Sequence, residues 1–376
     1  MRTNLFIAIV IAAIFAACQP KETKTLSGLD PKNYVSEVDG KQTQLIVLKN
    51  KQGMEVCITN YGARVVSLMA PDRNGKMEDV VTGFASVDEY VSQNQNFGST
   101  VGRYIGRIAG PSFVIDSIEY KLQGYGKSKQ ISHGGKPGFA NRVWNIEKIA
   151  EDSVLLSYLS PDGENGFPGN LQVYLTYFLR DDNALDIHYE ATTDAPTVLN
   201  LSHHSFFNIS ADFHQTVENQ MMWIDGDFIT PYDENKKVAG GYAAVEGTPF
   251  DFRTPQIISE RIDEENAQIK ITGGYDHTWA VNTKGDDSRP AAWIYDKESG
   301  RKMEIYTTEP GVHVYAANGL KGNLMGKDST FYAKRTSICF ETMHFQNSPN
   351  VPEYPTTVLR PGECFNSRTV YKFVIE

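Results

Sequence analysis

Apolar residues at every second position, in short runs, restrict this chain's fold more than any other feature. Leu171-Val173-Leu175-Tyr177-Leu179 places its apolar side chains on one face of an extended segment, and Leu185-Ile187-Tyr189 and Val154-Leu156-Tyr158 repeat the pattern. A buried helix needs a period near 3.6, and no long amphipathic stretch supplies one. Asp181-Asp182-Asn183 joins the first two runs as a polar turn suited to a hairpin. Similar runs recur at 302–307, 311–317, 336–340 and 369–375, broken by Gly, Asn, Asp and Pro. The expectation is an all-β fold, a large antiparallel β-sandwich. No fixed-period repeat or clear linker divides it, so residues 42–376 are expected to form a single domain. The polar, glycine-rich loops at 124–140, 162–169 and 318–331 are expected to rim a site.

The N-terminus reads as processing information. Arg2 precedes an apolar run at 5–17, which is signal-peptide length and shorter than the ~20 residues of a bilayer span. Phe15-Ala16-Ala17-Cys18 resembles the lipobox of bacterial lipoproteins, in which the cysteine is acylated and becomes the mature N-terminus. Residues 1–17 are therefore expected to be a signal peptide, Cys18 the lipidation site, and 18–41 a polar tether carrying Pro20 and Pro31. The expected location is periplasmic or outer-membrane-associated, with the membrane as a partner through the anchor. A formal net charge of -10 argues against nucleic acid as a partner. Cys57, Cys339 and Cys364 are odd in number and lack metal-ligand spacing, so neither a disulfide framework nor a zinc site is expected.

Four separated segments carry ionisable groups beside tight-turn glycines or within otherwise apolar strands. The first is Val101-Gly102-Arg103-Tyr104-Ile105-Gly106-Arg107-Ile108, followed by Ser132-His133-Gly134-Gly135. The second is Asn200-Leu201-Ser202-His203-His204-Ser205-Phe206-Phe207-Asn208. Gly273-Gly274-Tyr275-Asp276-His277 is the third, and Ser337-Ile338-Cys339-Phe340-Glu341-Thr342, where a carboxylate follows a strand-like run, is the fourth.

In this order the segments resemble the aldose 1-epimerase (galactose mutarotase) family. Asn165-Gly166-Phe167-Pro168-Gly169, Glu309-Pro310-Gly311-Val312 and Leu359-Arg360-Pro361-Gly362-Glu363 add to the likeness, which spans nearly the whole chain beyond the leader. The resemblance implies a β-sandwich enzyme that interconverts the α and β anomers of a free monosaccharide such as glucose or galactose, with no metal or organic cofactor. It implies Glu341 as general base on the anomeric hydroxyl and His204 as general acid on the ring oxygen. Arg107, His133, Asp276 and His313 are the implied sugar-binding residues. Two positions depart from the family pattern: Gly106 stands where asparagine is common, and His313 where some members have glutamine. Both bear on which sugar is preferred rather than on the acid and base.

The residue chemistry agrees with that assignment. Opening a hemiacetal requires one proton removed from the anomeric hydroxyl and one delivered to the ring oxygen. A carboxylate and a histidine, with ordinary pKa values of about 4.3 and 6.5, suit those tasks near neutrality. Arg107 can donate in a fork to adjacent hydroxyls and Asp276 can accept from them. Strand alternation sends His203 and His204 to opposite faces, so one of them serves the site and the family register favours His204. Arg103 reads as the structural arginine, and His277 as less suited to touch substrate than Asp276. Two competing readings are a non-catalytic carbohydrate-binding protein on the same sandwich, and a glycoside hydrolase or polysaccharide lyase. A binder needs no acid and base, and a hydrolase normally needs two carboxylates flanking the bond.

Overall fold

The computed structural model describes residues 24–124, 130–327 and 329–376; the apolar run at 5–17 and Cys18 lie outside them. The expected hairpin is present at its centre. Leu171–Leu179 pairs antiparallel with Ala184–Thr193, from Leu171↔Thr193 to Leu179↔Leu185, and Asn183 takes the left-handed conformation that closes the turn. Along Leu171–Leu179 every odd-numbered residue is buried, as the alternation requires.

Around that hairpin a nine-stranded sheet runs in the order Asn145–Ile149, Ser153–Ser160, Leu171–Leu179, Ala184–Thr193, Phe365–Ile375, Arg301–Thr307, Ala292–Tyr295, Met221–Ile224, Gln256–Ile257. The C-terminal strand thus lies in the middle of the sheet, which ties the end of the chain to its centre. A four-stranded sheet (Leu45–Lys49, Glu55–Thr59, Arg64–Pro71, Met77–Asp79) and a five-stranded sheet (Ala243–Ala244, Gly226–Thr230, Asp276–Val281, Gly311–Tyr315, Cys339–Met343) supply the opposing apolar faces. One core cluster joins Val173, Leu175 and Ile187 of the large sheet to Val65 and Leu68 of the four-stranded sheet and to Trp279, Val312, Val314 and Phe340 of the five-stranded one. The expected all-β sandwich is the observed fold.

Three expectations are corrected. The segment read as a tether up to residue 41 is folded from Thr25 onward: Leu29 and Tyr34 are buried, the Tyr34 hydroxyl donates to the Phe84 carbonyl at 2.7 Å, and the Leu26 amide donates to Glu55 Oε1 at 2.6 Å. Two buried apolar side chains among many polar ones hold it, too few to register as a periodic pattern. The loop at 162–169 does not rim a site. The carbonyls of Pro168 and Gly169 accept from buried Arg103 at 2.7 and 3.0 Å, so that loop closes over the arginine read as structural. Finally, Glu341 does not follow its strand but lies at the middle of Cys339–Met343, because Thr342 and Met343 continue the pairing with Val312 and Gly311. Among the described residues the cysteines are free, Cys57 and Cys339 buried and Cys364 exposed.

Candidate active site

The five-stranded sheet has one face in the core and one face lined with polar groups. Thr278, His313 and Glu341 lie directly opposite one another on three neighbouring strands (Thr278↔His313, His313↔Glu341), so they project to the same side. Asp276, two residues before Thr278, shares that side by alternation. Residues of opposite parity, Trp279, Val312, Val314 and Phe340, enter the core. The same rule therefore gives this sheet an apolar back and an ionisable front.

A short helix, Ala267–Thr272, delivers Asp276 to its place. The Asn266 side chain caps its start by accepting from the Gln268 amide, and Gly273 ends it with φ +74°, the left-handed stop that glycine tolerates. His133 comes from a different tight turn, in which His133, Gly134 and Gly135 all have positive φ. A Cβ on Gly134 would lie 2.1 Å from the Gly102 carbonyl oxygen, so the turn admits no side chain there and packs directly on the arginine-bearing segment. Arg107 opens the strand Arg107–Ala109, which pairs with Gln130–Ser132 immediately before that turn. His204 ends Ser202–His204, paired with Ser99–Val101.

These elements bring all six sequence-named residues, Arg107, His133, His204, Asp276, His313 and Glu341, to the wall of one cavity of about 400 Å³. Its size lies in the range of small-molecule sites. At its base His204 Nε2 stands 3.3 Å from Glu341 Oε1, with the two residues only 4% and 2% exposed. Among the described residues, His204 Nδ1 and Glu341 Oε2 have no hydrogen-bond partner although both atoms are buried. Native proteins rarely leave such atoms unsatisfied, and here the two belong to neighbouring residues that both line the cavity. The His204 ring stacks on Phe206 at 5.0 Å and meets His133 edge-on at 5.3 Å. His203 points the other way, into the core, with Nε2 2.6 Å from Ser205 Oγ. His277 is likewise outside the cavity, packed on Phe250 at 4.6 Å.

Burial dominates the electrostatics of the pair. Removal from water, with the Asp276 charge nearby, pushes the Glu341 carboxyl well above the usual range, while Arg107 pulls the other way. Burial and the neighbouring His313 lower His204 to about 3. Both shifts disfavour net charge, so the two side chains are best treated as a dyad that retains one proton between them. Asp276 is different. Burial alone would raise it, but Arg107, the His313 hydrogen bond and Lys236 together hold its carboxyl well below the ordinary value. It remains an anion, clamped by His313 Nε2 at 3.0 Å, Lys236 Nζ at 3.1 Å and Arg107 Nη2 at 3.5 Å. His133 is kept neutral by burial and by His204 and Arg107 beside it.

Sequence reasoning missed several lining residues. Lys236 lies in the run Asp233-Glu234-Asn235-Lys236-Lys237, which is indistinguishable in sequence from an ordinary solvated turn, yet its ammonium contacts Asp276. Gln346 and Tyr315 line the cavity, as do Asn318, Gly319 and Leu320 from the loop expected to contribute. The 124–140 loop contributes His133, and the 162–169 loop contributes nothing. His133, His204 and Glu341 also offer one metal-ligating atom each, all within 4.8 Å of one another. A cation held there would occupy both His204 and Glu341.

A profile of the aldose 1-epimerase family matches residues 44–372. The chain is 34% identical to the galactose mutarotase of Sus scrofa over 86% of its own length and 92% of the relative's. It is also 34% identical to the aldose 1-epimerase of Escherichia coli (strain K12), over 90% of this chain and 97% of that one. Among solved structures, an aldose epimerase homologue from C. elegans superposes with a TM-score of 0.82 at 28% identity, covering 89% of this chain and 99% of the other. A galactose 1-epimerase from Lactobacillus acidophilus gives 0.79 at 26% identity, covering 90% and 97%. The sheet order, the cavity and matches that run almost end to end place this chain in the aldose 1-epimerase family.

Proposed function

We propose that this chain interconverts the α and β anomers of a free aldose, glucose or galactose being the first candidates, with Glu341 as general base and His204 as general acid. The observation that carries the reading is the buried His204–Glu341 pair, 3.3 Å apart, with one unsatisfied polar atom on each residue. Ring opening begins with Glu341 as carboxylate and the dyad's proton on His204. Glu341 takes the proton of the anomeric hydroxyl, the bond from carbon 1 to the ring oxygen breaks, and His204 protonates that oxygen. The open aldehyde rotates about the bond from carbon 1 to carbon 2 and recloses on its other face by the reverse transfers. The dyad holds one proton before and after each step; burial favours the arrangement with that proton on Glu341, so the starting ion pair is the less populated of the two one-proton forms. Each positioned transfer typically contributes about 10²–10⁴-fold.

Arg107, His133, Asp276 and His313 hold the sugar in this reading. Asp276 accepts from hydroxyls as a fixed anion and Arg107 donates beside it. A hydrolase would need a second carboxyl free to cycle its proton, and Asp276 is held as an anion by three basic groups. That arrangement supports epimerisation over hydrolysis. The reading is tested by proton NMR in D₂O. Added protein should accelerate exchange between the two anomeric signals, with no deuterium uptake at carbon 2, because no carbon-bound proton moves. Unchanged exchange for every aldose tried would end the proposal.

The pH profile follows from the dyad. Activity requires one shared proton, so it falls when a second proton binds and when the last one leaves. Burial lowers His204 and raises Glu341, which moves the acid limb below the ordinary histidine value of about 6.5 and the alkaline limb above the ordinary glutamate value of about 4.3. The expected kcat/KM profile is a broad plateau spanning neutrality. A narrow optimum centred near pH 5 would contradict it.

We also propose that Cys18 is lipidated and holds the domain at a membrane outside the cytoplasm. The order of Arg2, the apolar run at 5–17 and Ala16-Ala17-Cys18 supports this. Cys18→Ala should move the protein from the membrane fraction to the soluble fraction. Retention in the membrane fraction would rule the anchor out.

A further inference from the structure

The region around Gly106 contains a substitution that neither the acid–base dyad nor the four sugar-binding residues account for. Gly106 has φ +74°, and a Cβ built on it would lie 2.6 Å from Gln346 Cγ and 2.9 Å from Met343 Cε. The space into which residue 106 would project is therefore filled from a segment 240 positions later in the chain. Gln346 is buried, yet it lines the cavity.

Its amide is engaged at both ends. Oε1 accepts from the Arg107 backbone amide at 3.1 Å and from Arg107 Nη1 at 3.3 Å. Nε2 donates to the Tyr232 hydroxyl at 2.9 Å, and that hydroxyl in turn accepts from Arg107 Nη1 at 2.8 Å. Nε2 also lies 3.3 Å from His313 Nδ1, which has the Thr278 hydroxyl at 2.9 Å as well. An amide N–H directed at Nδ1 makes that nitrogen the acceptor. His313 then carries its proton on Nε2 and donates it to Asp276 Oδ1, 3.0 Å away. One side chain thus orients the Arg107 guanidinium and selects the His313 tautomer, and through these two it orients Asp276.

We infer that Gln346, packed into the space left by Gly106, is a specificity-determining residue of this enzyme: it fixes the Arg107–Asp276–His313 wall that reads the sugar hydroxyls and leaves the proton-transfer pair alone. The inference deepens the mutarotase reading and rests on it. The geometry separates the two roles, because among the described residues Gln346 bonds to Arg107, Tyr232 and His313 and not to His204 or Glu341, whose mutual contact is independent of it. Replacing glutamine with methionine keeps the length and the unbranched shape but leaves Arg107, Tyr232 and His313 Nδ1 each short of a partner. Losing hydrogen bonds to a charged, partly buried group costs substrate binding on the order of tenfold or more.

The experiment compares wild type, Gln346→Met, Gln346→Ala and the double variant Gly106→Asn/Gln346→Ala on glucose, galactose, mannose and xylose, the last three of which each differ from glucose at a single ring carbon. Asparagine is chosen at 106 because it tolerates a left-handed backbone better than most residues. For Gln346→Met the expected result is a KM raised about tenfold or more, unequally among the four sugars, with kcat within about threefold of wild type. The double variant, which moves an amide to the other side of the same space, should recover part of the lost affinity and rank the sugars in a new order. Unchanged KM, or a loss of kcat equal for all four sugars, would overturn the inference, as would a double variant no better than Gln346→Ala alone. Calorimetric titration of each sugar into wild type and Gln346→Met keeps the two levels apart. A wild type that binds sugar but does not epimerise it would refute the enzymatic reading while still testing Gln346, and equal sugar affinities in the two proteins would refute the role of Gln346 alone.

Discussion

Glu341→Gln is expected to lower the catalysed rate of anomer exchange by at least about 10²-fold while leaving the fold intact and more heat-stable at pH 7. The activity loss follows because an amide cannot accept the anomeric proton. The stability gain follows from burial. The carboxyl of Glu341 is pushed above its ordinary value, so its contribution to stability is complete below the unfolded-state pKa, near 4.3, and is lost as pH rises through the folded-state value. Glutamine resembles the protonated form at every pH. Thermal unfolding midpoints of the two proteins should therefore agree near pH 4 and diverge in favour of the variant by pH 7. A variant less stable than wild type at pH 7 would show that the carboxylate is a net structural asset, and near-normal activity would remove Glu341 from the base role.

His204→Asn is expected to produce a loss of similar size, at least about 10²-fold, and the double variant with Glu341→Gln should be little worse than either single one. In the proposed mechanism the two groups pass one proton between them and the sugar. With either gone, the relay is broken and the second has nothing left to contribute. Multiplying losses in the double variant would mean that the two act independently. The check is the rate of anomer exchange for all three variants under saturating sugar, with circular dichroism to verify that each is folded. His203→Asn offers a contrast. His203 lies in the core against Ser205 and the Tyr177 hydroxyl, so its replacement should lower the unfolding temperature more than it lowers kcat.

Much of the fold was legible because alternation is a strong signal when one sheet face is buried and the other wet. Leu171–Leu179 and its hairpin partner follow it residue by residue. The signal weakened where both faces are covered. In Cys339–Met343 all five residues are buried, Glu341 among them, so the carboxylate read as lying past a strand when it is the centre of one. Folding of residues 25–41 was hidden for a different reason, since a few anchors such as Tyr34 secure a segment that is otherwise polar.

The site divides in the same way. His133, Arg107 and Asp276 sit beside glycines whose backbone conformations mark tight turns, and those turns can be recognised in a sequence. Lys236 and Gln346 have no such marker. One extends from a polar hairpin to reach Asp276, and the other occupies the space beside Gly106 from 240 residues away. Gly106 stands where the family commonly carries asparagine, and Gln346 fills the space beside it. Contacts of that kind depend on how distant loops fold over one another, and no local pattern encodes them.

The central claim is that a buried carboxyl and histidine in this cavity catalyse mutarotation of a free sugar. Polarimetry tests it most directly: α-glucose and α-galactose are dissolved freshly at neutral pH and the approach to equilibrium rotation is followed with and without the protein. The account predicts that protein speeds the approach for at least one of these sugars, in proportion to its concentration, without altering the final rotation. A rate that no amount of protein changes for either sugar, or a final rotation that shifts, would contradict it.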